Sequence, residues 1–402
     1  MRMKLKRSSQ LVLVSAASLV AAGLISACST LTADFVYVTS ALAAGANQYG
    51  EVDVFEVNSD SGRMRQIPAS PFPSGGRNPV ADVAAPDNAS LYVVNEDDNS
   101  IVQFIIGNDG KLYPNSSANT PGVFPFATTI SSGTKLLYVL DTYQPLPTCS
   151  TASPCSGSVS VFPINKDDTL GTPSTNSSIG ASYWPLILPS NPTHVMTPTG
   201  LTVAASGAYL YVTAYDSTSG GGYIFGFTAN ADGTLTALNG GVPFAAGTQP
   251  SSIAQDPVGN YIYATDQATG KILGYQETNG LLTPVSGSPF PSGNAPVAIV
   301  VDALGKFAYV ANSLDANVTA YSINNGTLTR VGTYTTGTQP VAIGIDPSRN
   351  EYLYTANFLS GNVSGFQINP TDGSLLISQF SPFKSNAQPT AVAAIPHRLP
   401  GK

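Results

Sequence analysis

The sequence predicts an all-β, seven-bladed β-propeller with four antiparallel strands per blade, its ring closed by the C-terminal strand completing the N-terminal blade. Three observations carry this prediction. A Tyr-bearing apolar strand recurs seven times, at Tyr37, Tyr92, Tyr138, Tyr211, Tyr263, Tyr309 and Tyr354. A proline precedes every copy but the first: Pro79, Pro125, Pro198, Pro250 and Pro296 lie 13 positions upstream of their Tyr, and Pro340 lies 14 upstream of Tyr354. Tight-turn signals, Asp109-Gly110, Asp232-Gly233, Asn279-Gly280, Asn325-Gly326 and Asp372-Gly373, follow the third strand, where a two-residue hairpin needs positive φ. Four strands repeated about every 50 residues describe a propeller blade.

Along the chain, the first element is a targeting signal. Arg2, Lys4, Lys6 and Arg7 precede the 14-residue apolar stretch Leu11 to Leu24, which is short for a bilayer span. The stretch ends in Ile25-Ser26-Ala27-Cys28, a pattern that resembles the bacterial lipobox, in which the cysteine is lipidated and becomes the mature N-terminus. Residues 1–27 therefore read as signal peptide and 28–34 as a tether from a lipidated Cys28; an ordinary secretory cleavage near Ala27 is the alternative. Residues 35–396 form the propeller and 397–402 a tail.

Within each blade, the proline strand is innermost. Two residues after each proline stands a small side chain (Ala81, Ala127, Gly200, Ser252, Ala298, Ala342), as close approach of neighbouring sheets requires. The third strand ends in an aromatic, and Phe104, Tyr275, Tyr321 and Phe366 each lie 12 positions after their Tyr. The fourth is marked by Ser70-Pro71-Phe72-Pro73-Ser74-Gly75 and its identical copy at 288–293. Gln388-Pro389-Thr390-Ala391-Val392 repeats the inner-strand pattern with no Tyr strand after it, while Tyr37 opens the propeller with no proline strand before it. The last strand thus completes the first blade and removes the sheet edges.

Charge and cysteines narrow the function. Loss of residues 1–27 removes four cations and no acid, taking the net charge from −7 to −11. So acidic a surface repels phosphate backbones and anionic headgroups, so nucleic acid is excluded as a partner and membrane contact is expected through the lipid alone. Cys149 and Cys155 are read as a disulfide clipping a loop of an exported protein, a ring worth about 2.4 kcal/mol by loop-closure entropy. No cofactor is expected. A metal site there would need more ligands than His194 and His397 supply. Glu96, Asp97 and Asp98 could offer oxygens to Ca²⁺, but no Asp-x-Asp-x-Asp-Gly loop surrounds them.

The motifs Asp256-Pro257-Val258-Gly259 and Tyr309-Val310-Ala311-Asn312 resemble those of the lactonase and YVTN-type seven-bladed propellers, a likeness spanning roughly residues 35–396. The resemblance implies the fold. For activity it implies hydrolysis of sugar-derived lactones, as by a 6-phosphogluconolactonase-like enzyme, a muconate-cyclising reaction, or exported proteins without assigned chemistry.

Candidate site residues follow from loop length. The connections after the Tyr strands and those leading into the next proline strand share one face, and there the Tyr-to-aromatic spacing grows to 18, 24 and 16 in blades 1, 3 and 4. The insertion at about 171–197 is expected to open on this face too. The leading expectation is a ligand- or partner-binding module at the cell envelope, acting as a monomer on a small molecule, an envelope protein or a glycan. Its binding candidates are Tyr183 and Trp184 of the insertion, Tyr49 and Asp216 of the long loops, and Asp266, one of five Asp or Asn residues three after the Tyr. The competing expectation is a hydrolase or isomerase of small lactones. Its set would be Asp82, an acid where the other inner strands carry Thr, Leu, Ile or Val; Arg77 in the loop leading to that strand; and His194, a general acid or base. Five arginines in the propeller are few for a phosphorylated, dianionic substrate.

Overall fold

The computed structural model describes residues 32–41, 49–131, 133–347, 349–385 and 388–397. The segment read as a signal peptide, Cys28 and the tail beyond His397 lie outside them. Seven antiparallel sheets surround a central axis, and in four of them the outermost strand is broken into two short pieces. Blades 2 to 7 start from inner strands Pro79–Ala84, Val123–Ser131, Met196–Val203, Pro250–Gln255, Pro296–Val301 and Pro340–Ile345. Blade 1 takes its inner strand, Pro389–Pro396, from the far end of the chain, paired with Thr32–Ser40 in the register Tyr37↔Ala393 and Val38↔Val392. The expected closure is therefore present, and His397 N–H donates to the Ala33 carbonyl at 3.0 Å beyond it.

The proline has a mechanical role. In all seven blades it pairs with the residue three after the Tyr, as Pro79↔Asn95 and Pro250↔Asp266, and the register shifts at the next step. Proline lacks the N–H that a ladder needs, so it is at home at such a bulge, which bends the strand as it meets the axis. Small residues follow because inner strands crowd there. A Cβ on Gly200 would stand 3.3 Å from the Ser252 Cα of the next blade.

Packing between blades supplies the core. Among the described residues seven apolar clusters occur, one at each interface between neighbours, including the closing one, where Val36, Val38 and Val392 meet Tyr352 and Tyr354. The repeated Tyr also bridges blades. The hydroxyls of Tyr37, Tyr263 and Tyr309 donate to the carbonyls of Gly110, Gly326 and Gly373 at 3.0–3.1 Å, in the hairpin of the next blade, and Tyr92 donates to Asp168 O at 2.6 Å. Gly373, at φ +75°, is needed twice over, because a Cβ there would strike the Phe307 ring.

Candidate functional site

Three successive residues from each inner strand enclose a cavity of about 290 Å³ on the axis. Most of its side chains are apolar, and most of its hydroxyls are hydrogen-bonded within the ring: Thr390 Oγ1 donates to Pro79 O at 2.7 Å and Ser251 Oγ to Pro296 O at 2.5 Å, each joining neighbouring blades. Among the described residues, Asp82 is the only ionisable side chain of the lining. It also borders the void at the lower mouth with Val392 and Gly344. Its Oδ2 is buried without a hydrogen-bond partner, and burial alone raises the carboxyl to about 8. Part of the side chain touches the void, but protein surrounds it on every side, so burial governs its chemistry.

Arg77 does not reach Asp82. Its Nη2 and Nε each lie 2.6 Å from Asp98 Oδ1, its backbone N–H donates to Asp98 Oδ2 at 2.7 Å, and Nη2 reaches Asp97 O at 3.3 Å. The loop after the second strand of blade 2 thus turns its acids onto the loop before the first. Burial tends to raise the Asp98 carboxyl, but the contacts from Arg77 outweigh it and hold the group below its usual range. Asn78 Nδ2 donates to Glu96 Oε2 at 2.6 Å, so much of the oxygen array once open to Ca²⁺ accepts from protein donors. Among the described residues, no group of three His, Cys, Asp or Glu is arranged to hold a metal. Tyr49 is 54% exposed.

His194 and Asp216 meet. Register brings this about: Met196 pairs with Asp216, and His194 stands two residues before Met196. The imidazole Nδ1 lies 2.6 Å from Asp216 Oδ2, with the histidine side chain 26% exposed and the carboxylate fully buried. Burial pushes Asp216 up, but donation from the Ser219 hydroxyl, His194 and the Thr218 and Ser219 amides brings it below the usual carboxylate range. A charged carboxylate only accepts, so Nδ1 carries the proton and, in the neutral ring, Nε2 carries the lone pair. Ser156, which follows the clipped loop, holds the histidine backbone by donating to His194 O at 3.2 Å while accepting from Met196 N–H at 3.0 Å. The Cys149–Cys155 disulfide is formed, with Cα atoms 5.4 Å apart.

Other candidates have structural duties. The insertion does not open wholly onto the long-loop face. Trp184 pairs with Val159 and starts the outermost strand of blade 3, so residues 171–183 run along the outer edge and only 186–195 cross that face. Trp184 is buried between blades 3 and 4 with its indole N–H on Leu235 O at 2.9 Å, while the Tyr183 carbonyl accepts from Asn176. Asp266 is buried and caps the loop into its blade, accepting the N–H groups of Thr248, Gln249 and Ala268 at 2.9–3.1 Å. Ser156 and Ser219 escaped sequence reasoning, since hydroxyl residues in a Ser-rich loop carry no spacing signal.

Residues 35–181 and 281–392, more than half of the chain, match the family described as Lactonase, 7-bladed beta-propeller. No curated protein matches the chain. Among solved structures, a "putative 6-phosphogluconolactonase" from Bacteroides fragilis superposes with a TM-score of 0.72 at 20% identity, over 91% of this chain and 99% of that one. A second such protein, from Bacteroides uniformis, gives 0.72 at 18% identity over 91% and 100%. The periplasmic gluconolactonase of Pseudomonas aeruginosa gives 0.70 at 18% identity over 90% and 99%. At these identities the structural likeness carries the fold.

Proposed function

The chain belongs to the seven-bladed β-propeller lactonase family, and from that premise we propose that it is an exported hydrolase of small, non-phosphorylated lactones, working on the long-loop face. The observation that carries the proposal is the His194–Asp216 pair. A buried carboxylate that fixes the Nδ1 proton leaves Nε2 free to take a proton from water. That water adds to the ring-ester carbonyl, and the tetrahedral adduct collapses by breaking the ring C–O bond. The proton returns from Nε2 to the leaving alkoxide, so one lactone and one water give one hydroxy acid. On this face Arg77 is already held by Asp98, which favours a substrate without phosphate. Export, with lipid on Cys28, is part of the same reading, and the disulfide supports an oxidising compartment.

A second reading, binding without turnover, is favoured by one observation. Arg77 and His194 are each held by a carboxylate of their own, in the loops entering blades 2 and 4, and Asp82 lies in the channel, so the three share no common set of contacts. A panel of sugar lactones, with and without phosphate, offered to the purified chain separates the readings. We expect acid release that His194→Ala lowers by roughly 10²- to 10⁴-fold, and Asp216→Asn by a comparable factor through loss of the Nδ1–H tautomer. Saturable binding in calorimetry without acid release would establish the binding module instead, and preference for the phosphorylated lactones would overturn the substrate class.

A further inference from the structure

Three outermost strands share a Ser-Pro-Phe turn, and the residue before its serine adopts positive φ each time: Ala69 at +74°, Gly287 at +82° and Phe380 at +67°. Glycine takes that conformation freely, whereas a Cβ, in Phe380 as in Ala69, makes the left-handed region costly. Phe380 nonetheless stands there with 66% of its surface exposed. Local propensity does not account for it, and an exposed, strained aromatic is where a local rule yields to function. Leu376 and Ile377, just before it, are also exposed, at 65% and 56%. The Arg63 guanidinium of blade 1 lies over the Phe380 ring, 4.8 Å from its centroid, and Arg65 lies close by, paired to Glu56 at 2.5 Å.

The position of this patch matters as much as its chemistry. Arg63, Arg65 and Gln379 line a cavity of about 370 Å³ whose wall includes Thr32. Thr32 is the first described residue, four positions after Cys28. Four extended residues reach roughly 13 Å, so a lipid on Cys28 would bring the bilayer to this rim between blades 7 and 1. The long-loop face lies at the opposite end of the blades, because Thr32 pairs with Asn58 beside a hairpin of the short-looped face.

We propose that this rim is a membrane-docking surface: Phe380, with Leu376 and Ile377, enters the acyl boundary of the bilayer that holds the Cys28 lipid, and Arg63 meets headgroup phosphate. Apolar side chains beside cations are what an interfacial contact uses, and a second contact adds firmness to a lipid tether. The docking turns the face bearing His194 toward solvent. It rests on lipidation of Cys28 and not on lactone hydrolysis, and it revises the expected contact through the lipid alone, because the apolar side chains and Arg63 act at this rim while more distant acids are screened.

The chain offers its own control, since Trp184 is its single tryptophan and packs between blades 3 and 4, across the ring. Full-length protein carrying Phe380→Trp is purified from membranes and reconstituted into phosphatidylethanolamine/phosphatidylglycerol vesicles with brominated acyl chains. Intact mass reports the lipid on Cys28. We expect the indole introduced at position 380 to lose emission about twofold or more, while the parent protein, reporting Trp184 alone, is unquenched. Lipidated protein whose introduced indole is quenched no more than Trp184 overturns the docking surface. An unlipidated Cys28 removes its premise, and neither result bears on turnover.

Discussion

Asp82 stands where six other inner strands carry Thr128, Leu201, Ile253, Ile299, Ile343 and Val392, and among the described residues no hydrogen bond or counter-ion compensates its buried Oδ2. Its anomaly was legible in the repeat, because one acid among apolar equivalents needs no structure to be seen. What it lacked was not legible. Arg77 is its sequence neighbour, but the arginine's partner, Asp98, lies 21 positions away in a loop with three acids to choose from. Burial raises the Asp82 carboxyl from 3.8 to about 8. The folded chain therefore keeps a proton that the unfolded chain releases above pH 4. Stability from this site is complete below the unfolded pKa and is lost as pH rises through about 8. Asp34, raised to about 8 by burial and by Asp346, and Asp141, raised to about 7 by burial, act with the same sign. Asp82→Asn removes the dependence at one site. Thermal melts at pH 4 and pH 9 should show no gain at the lower pH and roughly 1–3 kcal/mol at the higher. An equal effect at both would mean that the carboxyl titrates normally in the fold.

Between residue and ring stands the blade, whose repeated Tyr was read only as a strand marker. The structure gives it a second task. Its hydroxyl crosses to the hairpin glycine of the next blade where that carbonyl comes within reach, a contact between residues 63 to 73 positions apart that no local pattern encodes. Tyr211 makes no such bond and leaves its buried hydroxyl unpartnered. The two cases separate cleanly. Tyr263→Phe removes a satisfied bond and strands the Gly326 carbonyl, so urea unfolding should register a loss of about 1 kcal/mol. Tyr211→Phe removes an unpaired hydroxyl and should be neutral or stabilising. Equal losses would assign the tyrosine to packing alone. The proline offset was legible in the same repeat, but the bulge behind it was not, since a spacing of 13 does not say where register slips. Trp184 was misplaced for a related reason: its outer strand is two residues long, and only pairing with Val159 identifies it. The His194–Asp216 contact was closer to hand, because extending the blade's register two pairs beyond Pro198 and Ala214 brings the two loops together.

A ring of seven sheets has no edge only if the last strand finds the first, and here that pairing joins residues 349 to 362 positions apart. Seven successive residues, Asp34 to Ser40, lean on the strand Pro389–Pro396, and Ile395 and Val392 fill clusters on the two sides of blade 1. Burying each of those two side chains is worth about 1.5–3 kcal/mol, and the paired backbone would otherwise be left as an open sheet edge. Their combined loss approaches the whole stability of an ordinary domain, about 5–15 kcal/mol. A chain ending at Ser385 should therefore lose its cooperative melt by circular dichroism and aggregate through blade 1. Aggregation alone would not show that closure is at fault, because any large deletion can cause it. The discriminating molecule is a circular permutant. With His397 N–H on Ala33 O at 3.0 Å, a short linker can join residue 397 to 32, and new ends can be opened between the exposed Ala231 and Asp232 in the hairpin of blade 4. Every strand pair survives that rearrangement, so the permutant should melt cooperatively within a few degrees of the parent. If the permutant fails and the truncated chain folds, the ring is held by its blade interfaces alone and the closing strand is dispensable. If the permutant holds and the truncation fails, the position of the covalent break is immaterial and the hydrogen-bonded closure keeps the seventh interface together.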